Sequence, residues 1–267
     1  MKITPNAGPR ESGFNLNELM VVITVVSILA SLLLPALSNA KLQARKTTCQ
    51  SNLRQEGVAL QSYLGDYNAF PVGPLGEGYG LWQQLLLDYV KSTTNLFYCT
   101  EKVQALASYT TLIGATSPNV FPHYGYNDLG AVWTFPNGEP PNLGLGGQFV
   151  PGGLQSSFEP LNEAAVIAPA DMVAMGDTTG YEKPLAQHAD PNNMFFIGMP
   201  FSIQDPSEQT SITISLVANW HEGGANMLFV AGNVEYQSQT RWVAPEDAAR
   251  AQWNNDHQPH PEYWGGK

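Results

Sequence analysis

Charge is scarce in this chain. Only 13% of its 267 residues are Asp, Glu, Lys or Arg, about half the usual share. Of those, 12 are basic and 23 acidic, which leaves a net charge of −11. The chain holds no basic run, so it offers nothing to a phosphate backbone, and nucleic acid is excluded as the main partner. Cysteine is scarcer still, with Cys49 and Cys99 alone. Common catalytic signatures are also missing. There is no Gly-rich phosphate loop, no G-x-S-x-G nucleophile elbow and no EF-hand loop of spaced acidic residues. His221-Glu222 lacks the second His, four residues after the first, that a zinc metalloprotease needs. An enzyme is therefore the class with least support, and no catalytic residue is expected.

What the chain has in quantity is Gly (25), Pro (20) and apolar residues (43%), enough for a turn-rich domain with a sizeable core. The apolar residues are unevenly spread. Residues 19–40 carry no charge between Glu18 and Lys41. As a helix, those 22 residues would reach about 33 Å, close to the hydrocarbon thickness of a bilayer. A single membrane crossing near the N-terminus is expected. A secretory signal peptide or a plain signal anchor would give a similar profile, and Ser38-Asn39-Ala40 could pass as a cleavage site. Against both stands what precedes the run: a polar leader with Lys2 and Arg10, then Gly13-Phe14-Asn15-Leu16-Asn17-Glu18. An ionisable group at the edge of a span is costly, so Glu18 is a functional candidate.

Gly13, Phe14, Leu16 and Glu18, leading into an apolar helix, resemble the N-terminus of type IV prepilins and type II secretion pseudopilins. The resemblance implies that a prepilin peptidase cuts after Gly13 and methylates Phe14. Pro35 would then fall at mature position 22, where many pilin-like helices carry a Pro kink. Residues 1–13 are thus expected to be a leader, 14–40 a transmembrane helix and 41–267 an extracytoplasmic pilin-like domain. Counting Lys and Arg on the two flanks does not settle the orientation. The cytoplasmic leader rests on the resemblance and on the cysteines. Glu18, paired with the Phe14 amine of a staggered neighbour, would select filament register rather than add much net energy.

Past the span, Leu42, Cys49, Leu53, Leu60, Leu64 and Tyr67 form one apolar stripe at helical spacing, opposite Arg45, Lys46, Gln50, Arg54 and Gln61. Gly57 inside this stripe leaves room for a bend. The stripe needs a surface to rest on, most simply a β-sheet. Residues 82–90 read as a second, short helix. Cys49 and Cys99 allow one disulfide, which an exported domain permits; the alternative is two buried thiols. Residues 134–160 hold six Gly and five Pro and read as an irregular excursion. Strand-like runs follow at 164–175, 211–218 and 226–230, the last turning through Ala231-Gly232-Asn233 into a further strand, with Gly232 and Asn233 expected at the centre of the turn. The expected fold is α+β and pilin-like: a long N-terminal helix on an antiparallel sheet, with a large loop-rich insertion.

From Trp220 the chain also resembles the C-terminal segment of large prepilin-like proteins, a His, nine residues, then Asp-Gly. His221 and Gly232 match it, and Ala231 stands where that pattern has Asp. The tail from Trp253 to His260 looks like the usual ending of such proteins. If the Asp of that pattern serves a partner or an ion in such proteins, this chain has lost the contact, and His221 is then expected to pack structurally. His257 and His260 beside Asp256 offer metal ligands at helical spacing, although a solvated loop fits their Asn and Pro neighbours better. Asp171, Asp177 and Asp190 are candidate calcium ligands by analogy with some pseudopilins. No other cofactor is expected. The tryptophans Trp82, Trp133, Trp220 and Trp242 read as core or rim.

The expected function is a structural subunit, a pseudopilin or minor pilin, of a type IV pilus-like or type II secretion filament. Its implied partners are the prepilin peptidase, other pilin-like subunits and an inner-membrane assembly platform. The expected location is the cytoplasmic (inner) membrane, crossed once, followed by incorporation into the filament. The alternative is a membrane-anchored extracytoplasmic module that binds glycan or another surface ligand, favoured by the large Gly/Pro-rich excursion.

Overall fold

The computed structural model describes residues 15–72, 82–90, 94–97, 99, 124–127, 130, 142–150, 157–178, 217–218, 220–242, 244 and 246–263. Gly13, Phe14, Trp133, Asp190 and most of the strand expected at 211–218 lie outside the described residues. The chain divides into two compact units, Met1–Ala44 and Arg45–Lys267.

One helix, α1 (Leu16–Tyr67), begins in the first unit and ends in the second. Its start is capped locally. Asn15 Oδ1 accepts the Asn17 N–H, and Glu18 Oε2 accepts the Asn15 N–H at 3.0 Å, a reciprocal arrangement that satisfies donors a helix start leaves over. The apolar part is long enough to cross a membrane, with a mean hydropathy of 2.6 over its best window. Its hydroxyls are satisfied within the helix: Thr24 donates to Met20 O, Ser27 to Ile23 O and Ser31 to Ile28 O. Pro35 sits inside this helix and has no N–H to give to the Ser31 carbonyl.

The second unit is α+β. Strands β1 (Tyr124–Tyr126), β4 (Val173–Asp177), β5 (Gly224–Phe229) and β6 (Val234–Ser238) form one sheet in the order β1-β4-β5-β6, every pair antiparallel. Strands β2 (Gln148–Val150) and β3 (Ser157–Glu159) pair separately, inside the Gly/Pro-rich excursion. The C-terminal part of α1 packs on the large sheet through Cys49, Leu53, Leu60 and Leu64, the stripe read from the sequence. Tyr67 falls outside it, exposed, with its ring tilted against that of Tyr63. Asn68 then takes a left-handed φ of 52° and donates its N–H to Leu64 O, which ends the helix.

Strand β5 is buried on both faces, which is why it reads as a continuous apolar run. Leu228 faces the α1 side, whereas Ala225, Met227 and Phe229 face a second cluster with Val173, Trp242 and Trp253. The C-terminal tail supplies that second layer and is fastened by amides. Asn127 Nδ2 donates to Val173 O and Trp253 O, and Asn255 Nδ2 donates to Asn142 O and Gly144 O. The solvated loop expected around 253–260 is therefore corrected at its start: Trp253, Asn254 and Asn255 are buried.

Two other expectations change. The second helix, α2, spans Trp82–Leu87 and gives way to a turn before Val90. The run at 164–175 is mostly not a strand. A 3₁₀ turn, Glu163–Ala165, and a turn around Pro169 occupy it until β4 starts at Val173. Pro169 and Asn162 explain this: Asn162 caps the 3₁₀ turn by accepting the Ala164 N–H, and a Pro has no N–H for a sheet ladder.

Candidate functional site

Four chemically capable side chains meet beneath α1, each from a different part of the second unit. Cys49 comes from the apolar stripe of α1, and Cys99 follows the 3₁₀ turn Thr94–Phe97. Asp177 is the last residue of β4. His221 precedes β5 at a tight turn, where it exchanges both backbone hydrogen bonds with Gly224 at 3.2 Å. Between them Glu222 (φ 57°) and Gly223 (φ 86°) are both left-handed, the geometry of a two-residue hairpin turn of type I′. The short turn fixes where the imidazole enters.

All four residues are buried, and their donor atoms lie within 4.8 Å of one another. Cys49 Sγ and Cys99 Sγ are 2.6 Å apart and not bonded to each other. His221 Nε2 lies 3.4 Å from Cys99 Sγ and 3.4 Å from Asp177 Oδ2. Asn226 holds the carboxylate in place: its backbone N–H and its side-chain amide both donate to Asp177 Oδ2, at 2.7 and 2.8 Å. Tyr236 Oη donates to the His221 carbonyl. Asp177 Oδ1, His221 Nδ1 and both Glu56 oxygens are buried without a hydrogen-bond partner among the described residues.

The electrostatics follow from this crowding. Burial disfavours the His221 imidazolium, but Asp177 and Cys49 outweigh it and raise its pKa above the usual value. The neighbouring Cys99 sulfur draws the Cys49 thiol below its usual pKa, against burial. Glu56 is pushed well above the carboxylate range, first by burial and then by Asp177 and Cys49, so it is held neutral. It lies seven residues after Cys49 on the same helix face. Glu56 went unnoticed in the sequence, although an acidic residue at a core-facing position of an apolar stripe is a readable signal.

The residues singled out by sequence divide clearly. Cys49, Cys99 and His221 come together, joined by Asp177. His221 thus stands in a polar cluster rather than in simple apolar packing. Gly232 instead serves the β5–β6 turn, with φ 91°. Of the calcium candidates, Asp171 is exposed before β4, whereas Asp177 is buried at its far end. His260 is unsuited to a metal here, because Asp256 (2.6 Å) and Glu262 (2.9 Å) occupy its two ring nitrogens. Glu18 and Pro35 belong to the apolar part of α1.

Comparison with known proteins covers part of the chain, and the family match includes Cys49 of the cluster. Residues 38–94 match the model of a family described as a protein of unknown function, DUF1559. The chain is also similar to proteins named type II secretion system core protein G. That of Pseudomonas aeruginosa is 36% identical over 62 residues, 23% of this chain and 44% of the relative. That of Aeromonas hydrophila is 40% identical over 67 residues, 25% of this chain and 47% of the relative. Part of this chain is pseudopilin-like. It spans less than half the length of these relatives, including a third from Pectobacterium carotovorum, of which it covers 42%. No solved structure matches. By their names the relatives are core proteins of a type II secretion system, and the matched stretch is about a quarter of this chain.

Proposed function

We propose that this chain is a membrane-anchored subunit of a type IV pilus-like or type II secretion filament. In this reading a prepilin peptidase cuts between Gly13 and Phe14, and the assembly platform of the inner membrane draws the mature subunit into the filament. One observation carries the proposal: a 52-residue helix whose apolar half is headed by a carboxylate, Glu18, in its first turn. A plain anchor needs no charge at that place, and holding one there costs free energy. In the single chain Glu18 caps its own helix through the Asn15 N–H. In the filament the same carboxylate meets the Phe14 amine of a neighbour, which neutralises two charges that are costly in an apolar bundle. The type II secretion relatives support the same assembly class.

The test is Glu18→Ala. Membrane insertion should be unchanged, because the apolar run is intact. The amount of subunit in the sheared filament fraction should fall at least about tenfold, equivalent to about 1.4 kcal/mol of pairing preference. Undiminished incorporation would remove the pairing from the account.

A further inference from the structure

We propose that Cys49, Cys99, Asp177 and His221 form a closed four-ligand site for a zinc-like divalent transition metal, which ties α1 to the sheet. The donor set is two sulfurs, one imidazole nitrogen and one carboxylate oxygen, all buried and within 4.8 Å of one another. Sulfur and imidazole donors select zinc-like ions, whereas calcium takes oxygen ligands throughout. A disulfide would account for the sulfurs but for nothing else. It gives no reason for an imidazole nitrogen 3.4 Å from Cys99 Sγ to be aimed between a thiol and the Asp177 carboxylate.

Two of the donor separations suit a tetrahedral centre. Metal-donor bonds of about 2.0–2.3 Å put neighbouring donors about 3.3–3.8 Å apart. The His221–Cys99 and His221–Asp177 separations of 3.4 Å fall in that range. The sulfurs, at 2.6 Å, have to part by about 1 Å. Asn226 supplies the outer support, since its two hydrogen bonds to Asp177 Oδ2 orient the carboxylate, as partners of metal ligands commonly do. Asp177 Oδ1 is buried and unpartnered among the described residues, an acceptor that a cation offsets. On loading, both cysteines bind as thiolates and His221 as neutral imidazole, and the protons these groups held beforehand, that of the His221 imidazolium included, pass to solvent with no change of oxidation state. A bound metal and the Cys49–Cys99 bridge expected from the sequence need the same two sulfurs, so one molecule holds one or the other.

The experiment uses the full-length chain. Cells are lysed into an alkylating agent to record the state of the cysteines, and in parallel unalkylated protein is purified in detergent without chelator. Zinc per chain is measured by mass spectrometry of the element. Metal-free protein is then titrated with Co²⁺ and its visible spectrum recorded. We expect unbridged cysteines, one zinc per chain, and a cobalt spectrum with thiolate charge-transfer and tetrahedral bands. Cys99→Ser removes one of the two thiolates and should cut the charge-transfer signal at least about twofold. Asp177→Asn keeps the side chain's shape and should weaken Co²⁺ binding more than about tenfold while the far-ultraviolet circular dichroism stays that of the folded chain. A Cys49–Cys99 bridge in the protein alkylated at lysis would overturn the proposal. So would zinc that folded Cys99→Ser and Asp177→Asn retain as tightly as the parent chain, which marks an adventitious ion only.

Discussion

Gly57 of α1 lies directly against Leu228 of β5: a Cβ at position 57 would stand 2.8 Å from Leu228 Cδ1 and 3.7 Å from the Gly232 Cα. The glycine in the helix, read from sequence as room for a bend, is a place where a Cβ would press on the sheet. Gly57→Ala gains about 1 kcal/mol of helix propensity and asks only the end of a flexible leucine to move, so stability should change by less than about 1 kcal/mol. Gly57→Leu has no such outlet and should cost about 1–3 kcal/mol through overpacking. Thermal unfolding of the detergent-solubilised chain checks both, and an unchanged midpoint for Gly57→Leu would contradict this packing.

The β5–β6 turn gives a second prediction. Gly232 donates its N–H to Phe229 O, and Phe229 donates its N–H to Asn233 O. The turn therefore centres on Val230 and Ala231, with Gly232 following at φ 91°, two residues earlier than the Gly232-Asn233 centre expected from sequence. Open space surrounds the missing Cβ of Gly232, so Gly232→Val is penalised by backbone strain rather than by a clash, and should cost more than about 1 kcal/mol. Ala231 is exposed and has ordinary φ, so Ala231→Asp should move stability by less than about 0.5 kcal/mol. Chemical denaturation of the two variants, compared with the parent, decides the order.

Much of this architecture was legible because it follows from periodicity. Cys49, Leu53, Leu60 and Leu64 recur with the helical repeat, so the buried face of α1 could be read directly. The β5–β6 hairpin announced itself by Gly232-Asn233 between two strand patterns. The cluster was only half legible. Two cysteines in a chain invite pairing, but Asp177 and His221 stand 44 residues apart and are joined by β4 and β5, whose register no local pattern reveals. The turn around Pro169 was hidden for the converse reason. Its residues are apolar enough to pass as a strand, while Asn162 and Pro169 set the backbone.

His260 gives the chain a pH dependence outside the cluster. Burial works against its imidazolium, but hydrogen bonds to Glu262 and Asp256 and their charges prevail and raise its pKa above the usual value of about 6.5. A raised folded-state pKa means that the stabilisation is complete below about pH 6.5 and is lost as pH rises through the folded value. His260→Gln should therefore cost stability at pH 5.5 and little at a pH above that folded value. Since the Asp256 and Glu262 carboxylates are exposed to screening solvent, the difference should stay under about 1 kcal/mol. Equal costs of His260→Gln at both pH values, measured by thermal unfolding, would show that the imidazolium contributes no pH-dependent stability.

The filament proposal stands on the start of the mature chain. The most direct measurement is the intact mass and N-terminal peptide of the protein isolated from a host that carries a prepilin peptidase. The account predicts a chain that begins at Phe14, with one methyl group on its α-amine and residues 1–13 removed. A chain that begins at Met1, or at Lys41 after removal of the whole apolar segment, would contradict it.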